Sequence, residues 1–406
     1  MSLIAWATLV IATATYAGIA VGRWPWLRVD RTTLTLIGAA MLLACGALTL
    51  EEAYVALDLD TILLLFSMMI LNAYLYLSGF FALVSNRTLR LAKSPRLLLA
   101  LLICASAILS ALFLNDTVVL MLSPIVLDIT MKLKRNPIPY LIALATSANI
   151  GSVATITGNP QNMIVGTASK ISYIDFTLAL LPIALVGMLI CWLVIVLLYP
   201  KEFRNETIAV PDVSRSRPIL PLMYKSIAVT LVMLVLFLLG VPVALASFLA
   251  AAALLFTRRL KPKRVLNLVD WPILVFFAAL FVVTASLETT GITEVLFHYL
   301  SPIAAQGLVS FGLITAVISN LISNVPAVLL LQTLIPGFAN PNQAWLMLAA
   351  ASTLAGNFTL LGSVANLIVA EIAGRWGVHL RFGDYFKAGV PITISTLIVA
   401  FIWLSL

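Results

Sequence analysis

Residues 111–126 read ALFLNDTVVLMLSPIV, and residues 145–166 read ATSANIGSVATITGNPQNMIVG. A carboxylate, several amides and hydroxyls, and glycines lie there between apolar runs that are long enough to enter a bilayer. Inside a bilayer, each unpaired polar group costs several kcal/mol. Polar residues in such a setting are therefore candidates for function rather than for surface solubility.

A weaker copy of the same pattern returns in the second half of the chain, where residues 321–336 read LISNVPAVLLLQTLIP and residues 351–371 read ASTLAGNFTLLGSVANLIVAE. Superposing the two stretches, with a small difference in loop length, aligns four pairs: Gly158 with Gly362, Thr155 with Thr359, Asn162 with Asn366, and Asn115 with Asn324. The chain therefore contains an internal repeat.

Composition assigns the protein to the membrane. Of its 406 residues, 62% are hydrophobic and only 10% are charged, and the mean hydropathy is +1.11. No soluble domain of this size carries such a composition. The net charge of +8 comes from short basic clusters between apolar runs, so we attribute it to topology and not to nucleic-acid binding. The three cysteines lie in separate apolar runs, which indicates neither disulfides nor a metal site.

Several apolar runs approach the length that crosses a hydrocarbon core of about 30 Å. They are residues 4–21, 33–50, 61–84, 173–198, 226–239, 243–257, 271–290 and 388–406. The first of these is interpreted as a transmembrane helix rather than a cleaved signal, because it lacks a basic segment before it. Regions 97–133 and 300–336 each contain two apolar helices that meet at polar residues, so we interpret each as a re-entrant hairpin. Regions 138–167 and 344–373 are interrupted by Gly, Asn or Pro, which predicts a broken helix in each.

The basic residues suggest the topology. Short clusters in the connections contain all of the 24 Lys and Arg residues except Lys170. One path through the membrane puts every cluster on the cytoplasmic face, as the positive-inside rule requires. On this path both termini lie outside, the first hairpin enters from the cytoplasm, and the second enters from outside. The acidic loop 51–60 also falls outside.

The two halves then have opposite orientations. We predict an all-α polytopic membrane protein of two inverted-topology repeats, with about ten transmembrane helices, two re-entrant hairpins and two broken helices. Residues 1–200 form the first repeat, 201–223 a cytoplasmic linker, and 224–406 the second repeat. Inverted repeats with broken helices are typical of secondary transporters, so transport is expected and an enzymatic activity is not.

Asp116 is the only carboxylate that this topology places deep in the membrane. One interpretation is a carrier that alternately binds and releases a proton or cation. The alternative is a structural one, in which the carboxylate caps a helix that starts at Thr117.

The other candidates for substrate or ion binding are amides and hydroxyls at the hairpin tips and the helix breaks. Together with Asp116 they are Asn115, Thr117, Thr155, Asn159, Asn162, Asn324, Asn357, Thr359 and Asn366. Some of these side chains are expected only to pair helices, as Ser, Thr and Asn commonly do in membranes. Because the predicted topology leaves no Lys or Arg within the membrane, a neutral or small substrate fits better than a multiply charged anion.

The motifs that carry these residues resemble the ion-transporter superfamily, which includes arsenite-efflux permeases, sodium/dicarboxylate symporters and a group of sodium/proton antiporters. The resemblance covers essentially the whole chain and is most specific at LNDT (114–117), GNPQN (158–162), SNVP (323–326) and GSVANLIVAE (362–371). The dicarboxylate branch has Ser-Asn-Thr at both tips, which this chain lacks. The Asn-Asp pair at the first tip is similar to the arsenite-permease branch.

This resemblance implies proton-coupled export of arsenite or antimonite across the inner membrane, with Asp116 as the proton carrier and no cofactor. It also implies a soluble ATPase subunit as a further partner. Arsenite is mostly the uncharged trihydroxide at neutral pH, so hydrogen bonds to amides would suffice to bind it. Two alternatives remain open: a sodium/proton antiporter that uses Asp116, and an inorganic or organic anion permease of the same superfamily.

Overall fold

The structure is a computed structural model, and it describes residues 2–21, 29–204, 218–295, 298–299 and 307–406. In the first half, the helices are α1 (Leu3–Val21), α2 (Arg31–Ala44), α3 (Leu50–Ala56), α4 (Leu59–Ser78), α5 (Phe80–Leu91), α6 (Pro95–Leu112), α7 (Asn115–Lys132), α8 (Pro137–Ser152), α9 (Pro160–Ser169) and α10 (Tyr173–Leu198). A short 3₁₀ helix, Ile156–Gly158, lies between α8 and α9.

In the second half, the helices are α11 (Leu220–Leu238), α12 (Val243–Leu255), α13 (Pro262–Leu266), α14 (Trp271–Thr289), α15 (Leu308–Ile322), α16 (Asn324–Leu331), α17 (Pro341–Ala355), α18 (Val364–Arg375) and α19 (Phe382–Ser405). A 3₁₀ segment, Gln332–Gly337, follows α16. In the described part of the chain, seven helices are long and apolar enough to cross a membrane, and shorter apolar helices lie between them. The all-helical fold class predicted from the sequence is confirmed.

Side-chain caps and prolines explain where many helices begin. Asp30, Asp58, Ser94 and Asn159 each accept a hydrogen bond from a backbone N–H in the first turn of the following helix. Proline occupies the first turn of α6, α8, α9 and α17, where its missing N–H costs nothing. These signals are local, which is why the sequence predicts them well.

Two predicted spans differ from the structure. The run 61–84 is not one helix, because α4 ends at Ser78 and α5 begins at Phe80. Gly79 between them has a φ of 84°, a left-handed conformation that ends a helix and favours glycine. The predicted run 33–50 is also too long, since α2 ends at Ala44.

The division into repeats 1–200 and 224–406 stays a prediction. Most of the linker predicted at 201–223 lies outside the described residues, and so does the start of the second hairpin at 300–306. The helix packing nevertheless follows the repeat. The first hairpin helix packs on the first half of the broken helix in each half of the chain, α6 on α8 and α15 on α17.

Contacts between the two halves are reciprocal. In each half, the second hairpin helix packs on the second part of the broken helix from the other half, α7 on α18 and α16 on α9. The backbones of α6 and α8 approach so closely that only glycine fits at residue 151. A Cβ added at Gly151 would lie 2.2 Å from the Ala107 carbonyl oxygen. This packing brings both hairpin tips and both helix breaks together.

Candidate functional site

The first hairpin tip lies at the start of α7. Asn115 is buried, donates from Nδ2 to Asn149 Oδ1 at 2.9 Å, and accepts at Oδ1 from the backbone N–H of Asp116 at 2.9 Å. The structural alternative, in which Asp116 caps a helix that starts at Thr117, is wrong, since α7 begins at Asn115 with Leu114 at the cap position. Asp116 is half-buried in the first turn, where the helix dipole favours a negative charge.

The second tip has an unusual backbone. Ser323, between α15 and α16, has a φ of 82°, which is rare for a residue with a side chain and typical of functional turns. The next residue, Asn324, is buried, and its Oδ1 lies 2.9 Å from the Ser319 hydroxyl. That hydroxyl is also 2.8 Å from the Ser352 carbonyl on α17. The second tip is therefore tied to the broken helix beside it.

An asparagine bridges each helix break with the same spacing. Asn162 Nδ2 donates to the carbonyls of Ser152 and Thr155, both at 3.0 Å. Asn366 Nδ2 donates to the carbonyls of Gly356 and Thr359, at 2.8 and 3.1 Å. In both breaks the acceptors lie ten and seven residues before the asparagine. The two amides replace the helical hydrogen bonds that the break removes.

Threonines tie each break to its hairpin. Thr155 donates to the carbonyl of Ala111, and Thr359 donates to Asn320 Oδ1 at 3.3 Å. Ala111 lies four residues before Asn115, and Asn320 lies four residues before Asn324, so the two contacts are equivalent in the repeat alignment. Each threonine therefore helps to hold a tip against its break.

Asn149 joins the two halves. Its Oδ1 accepts from Asn115 at 2.9 Å and from the Ser363 hydroxyl at 3.2 Å. Its Nδ2 lies 2.8 Å from Asn357 Oδ1 and 3.2 Å from Asn366 Oδ1. One fully buried amide thus contacts the first tip and the second break.

Thr353 is the counterpart of Asn149 under the alignment of Gly158 with Gly362. Its hydroxyl accepts from Asn159 at 3.2 Å and from Gln161 at 3.0 Å, and it lies 3.4 Å from Asn162 Oδ1. Each broken helix therefore contributes, from its first part, a polar residue that binds the break of the other half.

The sequence analysis missed both of these residues as site candidates. Asn149 lies within the quoted stretch 145–166, and extending the repeat alignment by a few residues would have paired it with Thr353. The other predicted residues lie at the same junction. Asn357 Nδ2 donates to the Thr146 carbonyl at 3.2 Å, and Thr117 lines the larger of two cavities.

We expect Thr353→Val to lower the stability of the protein by about 1–2 kcal/mol, because two buried amides lose their acceptor while the side-chain volume hardly changes. Thermal unfolding of the purified protein in detergent measures this. The matched control is Thr393→Val, since the buried Thr393 hydroxyl has no hydrogen-bond partner among the described residues. Equal unfolding temperatures for the two variants would contradict the role of Thr353.

A small cavity of about 50 Å³ lies where the four polar segments meet. Its polar lining comes from both tips, from the second part of each broken helix and from α2: Asn115, Asp116, Gln161, Ser323, Asn324, Ser363 and Arg31. A volume of this size holds about four water molecules. The cavity therefore fits a small molecule with several hydrogen-bonding groups.

A larger cavity of about 520 Å³ adjoins it, and Arg31, Asp116, Pro160, Ile273 and Val364 line both. The expectation that no cation faces the site is wrong. Arg31 is the first residue of α2, and its guanidinium lies 5.8 Å from the Phe276 ring centroid. Sequence position alone assigned it to a basic loop, whereas packing of α2 against α14 directs it into the cavity.

Comparisons with known proteins identify a family of transporters. The model of the citrate transporter family, CitMHS, matches residues 7–355. The chain is 31% identical to the silicon efflux transporter LSI3 of Oryza sativa subsp. japonica, over 94% of this chain and 93% of that protein. It is 26% identical to the putative transporter arsB of Dictyostelium discoideum, over 92% of this chain and 87% of that protein.

A solved structure has the same fold. The chain is similar to the Alcanivorax borkumensis YdaH transporter, described as having an unusual topology, with a TM-score of 0.57 and 15% identity. The match covers 99% of this chain and 96% of that one. At this identity, the likeness concerns the fold alone.

Proposed function

Because the chain belongs to the citrate transporter family CitMHS and is therefore a membrane transporter, we propose that it exports small uncharged oxyacids, with arsenite or antimonite as substrate and protons as the coupling ion. The size and lining of the small cavity carry this proposal. Neutral amides and hydroxyls from both tips and both broken helices line a volume of about 50 Å³, together with one carboxylate, one guanidinium and six apolar residues. The formal charges of the Asp116 carboxylate and the Arg31 guanidinium cancel.

A trihydroxide such as arsenite suits that lining. Each of its hydroxyls donates one hydrogen bond and accepts others, and amide groups do both. Relatives of this chain support the same class of substrate, since one is named a silicon efflux transporter and another a putative arsB transporter. Silicic acid, like arsenite, is an uncharged polyhydroxide at neutral pH. A free carboxylate at the same site supplies a group that can carry the proton in exchange.

Carboxylate-anion transport is the second candidate, and Arg31 favours it. A guanidinium is the usual partner of a carboxylate, and the family is named for citrate. Citrate is larger than the roughly four waters that the small cavity holds, so it would have to extend into the larger one. The size of the tip cavity therefore favours the oxyacid.

The basic clusters support a multi-pass protein of the inner, or plasma, membrane with both termini outside. In this orientation the larger cavity faces the cytoplasm, because its walls include residues 267–270, which follow the basic cluster of residues 258–264. A site open to the cytoplasm suits the loading step of an exporter.

We expect cells that lack their own arsenite exporter to survive higher arsenite concentrations when they express this protein. Inverted membrane vesicles should accumulate arsenite when their interior is acidified, and an excess of citrate should not compete. Growth and vesicle uptake measure the two effects. Citrate uptake without arsenite uptake would favour the anion permease, and sodium-dependent proton exchange without either would favour the antiporter.

A further inference from the structure

The larger cavity reaches well beyond the hairpin tips. Its volume of about 520 Å³ lies within the range of small-molecule sites. It extends from Asp116 on α7 to Asp270, just before α14. The tips therefore do not account for its far wall, which belongs largely to α4.

One face of α4 forms this wall. The residues that line the cavity recur at helical spacing, namely Leu65, Met69, Asn72, Ala73 and Tyr76. All five belong to α4, and all but Tyr76 are buried. Asn72 is the only one of these five residues with an amide; the others are three apolar side chains and the phenol of Tyr76.

Asn72 is buried without partners. Its relative exposure is 1%, and neither Oδ1 nor Nδ2 has a hydrogen-bond partner among the described residues. By contrast, the amides of Asn115, Asn149 and Asn162 all make hydrogen bonds. Buried amides with no partner are rare in native proteins and call for an explanation. The cavity beside Asn72 offers one, because a ligand there could satisfy both amide atoms.

Arg31 lies across the same cavity. It is half-buried, stacks over Phe276, and makes no ion pair with any carboxylate that the structure describes. Of the two carboxylates that line the cavity, Asp270 already caps α14 by accepting from the Ile273 N–H at 3.3 Å. The Asp116 carboxylate accepts no hydrogen bond from a described residue. An amide, a guanidinium and a carboxylate thus line one cavity with unused hydrogen-bonding capacity.

We propose that Asn72, Arg31 and Asp116 form a second substrate subsite, on the cytoplasmic side of the hairpin tips, which captures the hydroxylated oxyacid before it reaches the tip cavity. This inference rests on the proposed function. Hydroxyls of the substrate donate to Asn72 Oδ1 and to Asp116, and its oxygens accept from Asn72 Nδ2 and from Arg31. The amide atoms are buried, so binding there requires a neighbouring side chain to move; Met69, one turn away in the same cavity wall, has a flexible unbranched side chain that can do so.

The test is arsenite uptake into inverted membrane vesicles, whose outer surface is the cytoplasmic face. Asn72→Leu should raise the half-saturating arsenite concentration about tenfold, which corresponds to one lost interaction of about 1.4 kcal/mol. Arg31→Gln should raise it as well. Thermal unfolding of Asn72→Leu should match or exceed that of the parent, because the leucine removes unsatisfied polar atoms. If Asn72 had a structural role only, Asn72→Leu would lower the stability and leave the half-saturating concentration unchanged.

Ser247→Ala is the matched control, since the buried Ser247 hydroxyl also has no hydrogen-bond partner within the described ranges but lines neither of the two cavities above. Its half-saturating concentration should equal that of the parent. If Asn72→Leu also equals the parent, the subsite is refuted and the proposed function stands. If the parent itself takes up no arsenite, the proposed function is refuted and the subsite with it.

Discussion

Replacing Asp116 by asparagine is expected to leave the protein folded and inserted but to abolish pH-driven transport. The Asp116 carboxylate makes no hydrogen bond with any described residue, so an amide of the same shape removes no structural contact. It does remove the one group in the tip cavity that can take up and release a proton, because the other polar groups there are amides, hydroxyls and a guanidinium. Coupling should therefore fail while substrate binding weakens less.

The measurement is arsenite transport in proteoliposomes with and without an imposed pH gradient. The parent should respond to the gradient, and Asp116→Asn should show the same slow rate in both conditions. Asp128→Asn is the control, because Asp128 lies on the same helix in a surface pair with Lys132, 2.7 Å between Oδ2 and Nζ. A gradient response in Asp116→Asn equal to that of the parent would show that this carboxylate carries no proton.

Replacing Asn149 by leucine is expected to destabilise the protein by about 2–5 kcal/mol and to eliminate transport. Four buried groups lose their partner at once, from Asn115, Asn357, Ser363 and Asn366. Leucine fills a similar volume, so the loss reports on hydrogen bonding more than on packing. Transport should fail because Asn115 at the first tip is no longer held against the second break.

Thermal unfolding in detergent and vesicle uptake measure the two effects of Asn149→Leu. The stability control is Asn72→Leu, the same substitution at a buried asparagine that makes no hydrogen bond with the described residues. The two leucine variants should therefore differ strongly in unfolding temperature, with Asn149→Leu the lower. Similar unfolding temperatures would mean that the amide of Asn149 does not hold the two halves together.

Much of the fold could be predicted from the sequence because its signals are local. The apolar runs predict the membrane helices, and Pro160 after Asn159 predicts the start of α9. The recurrence of Gly158 as Gly362 predicts that the two breaks are equivalent. The identical hydrogen-bond spacing around Asn162 and Asn366 confirms that equivalence at the level of single atoms.

The predicted helix boundaries were wrong where the local sequence signal was weak or fitted two interpretations. The run 61–84 contains no charged residue, so hydropathy could not show that Gly79 divides it. Aspartate is a common helix cap, yet Asp116 lies within the first turn of α7, which begins at Asn115. In both cases hydropathy or residue type indicated a helix but not the residue at which it begins or ends.

By itself, the sequence determined the membrane class, the hairpins, the broken helices and the candidates at the tips, because hydropathy and helix breaking act between near neighbours in the chain. Only the tertiary structure decided that Asn149 meets Asn357 and Asn366, more than 200 residues away. It also decided that Arg31 reaches the tip cavity and that Asn72 has no hydrogen-bond partner in the described part of the chain. These features depend on which helix faces pack together across the two halves of the chain. Periodicity within a single helix does not encode that choice.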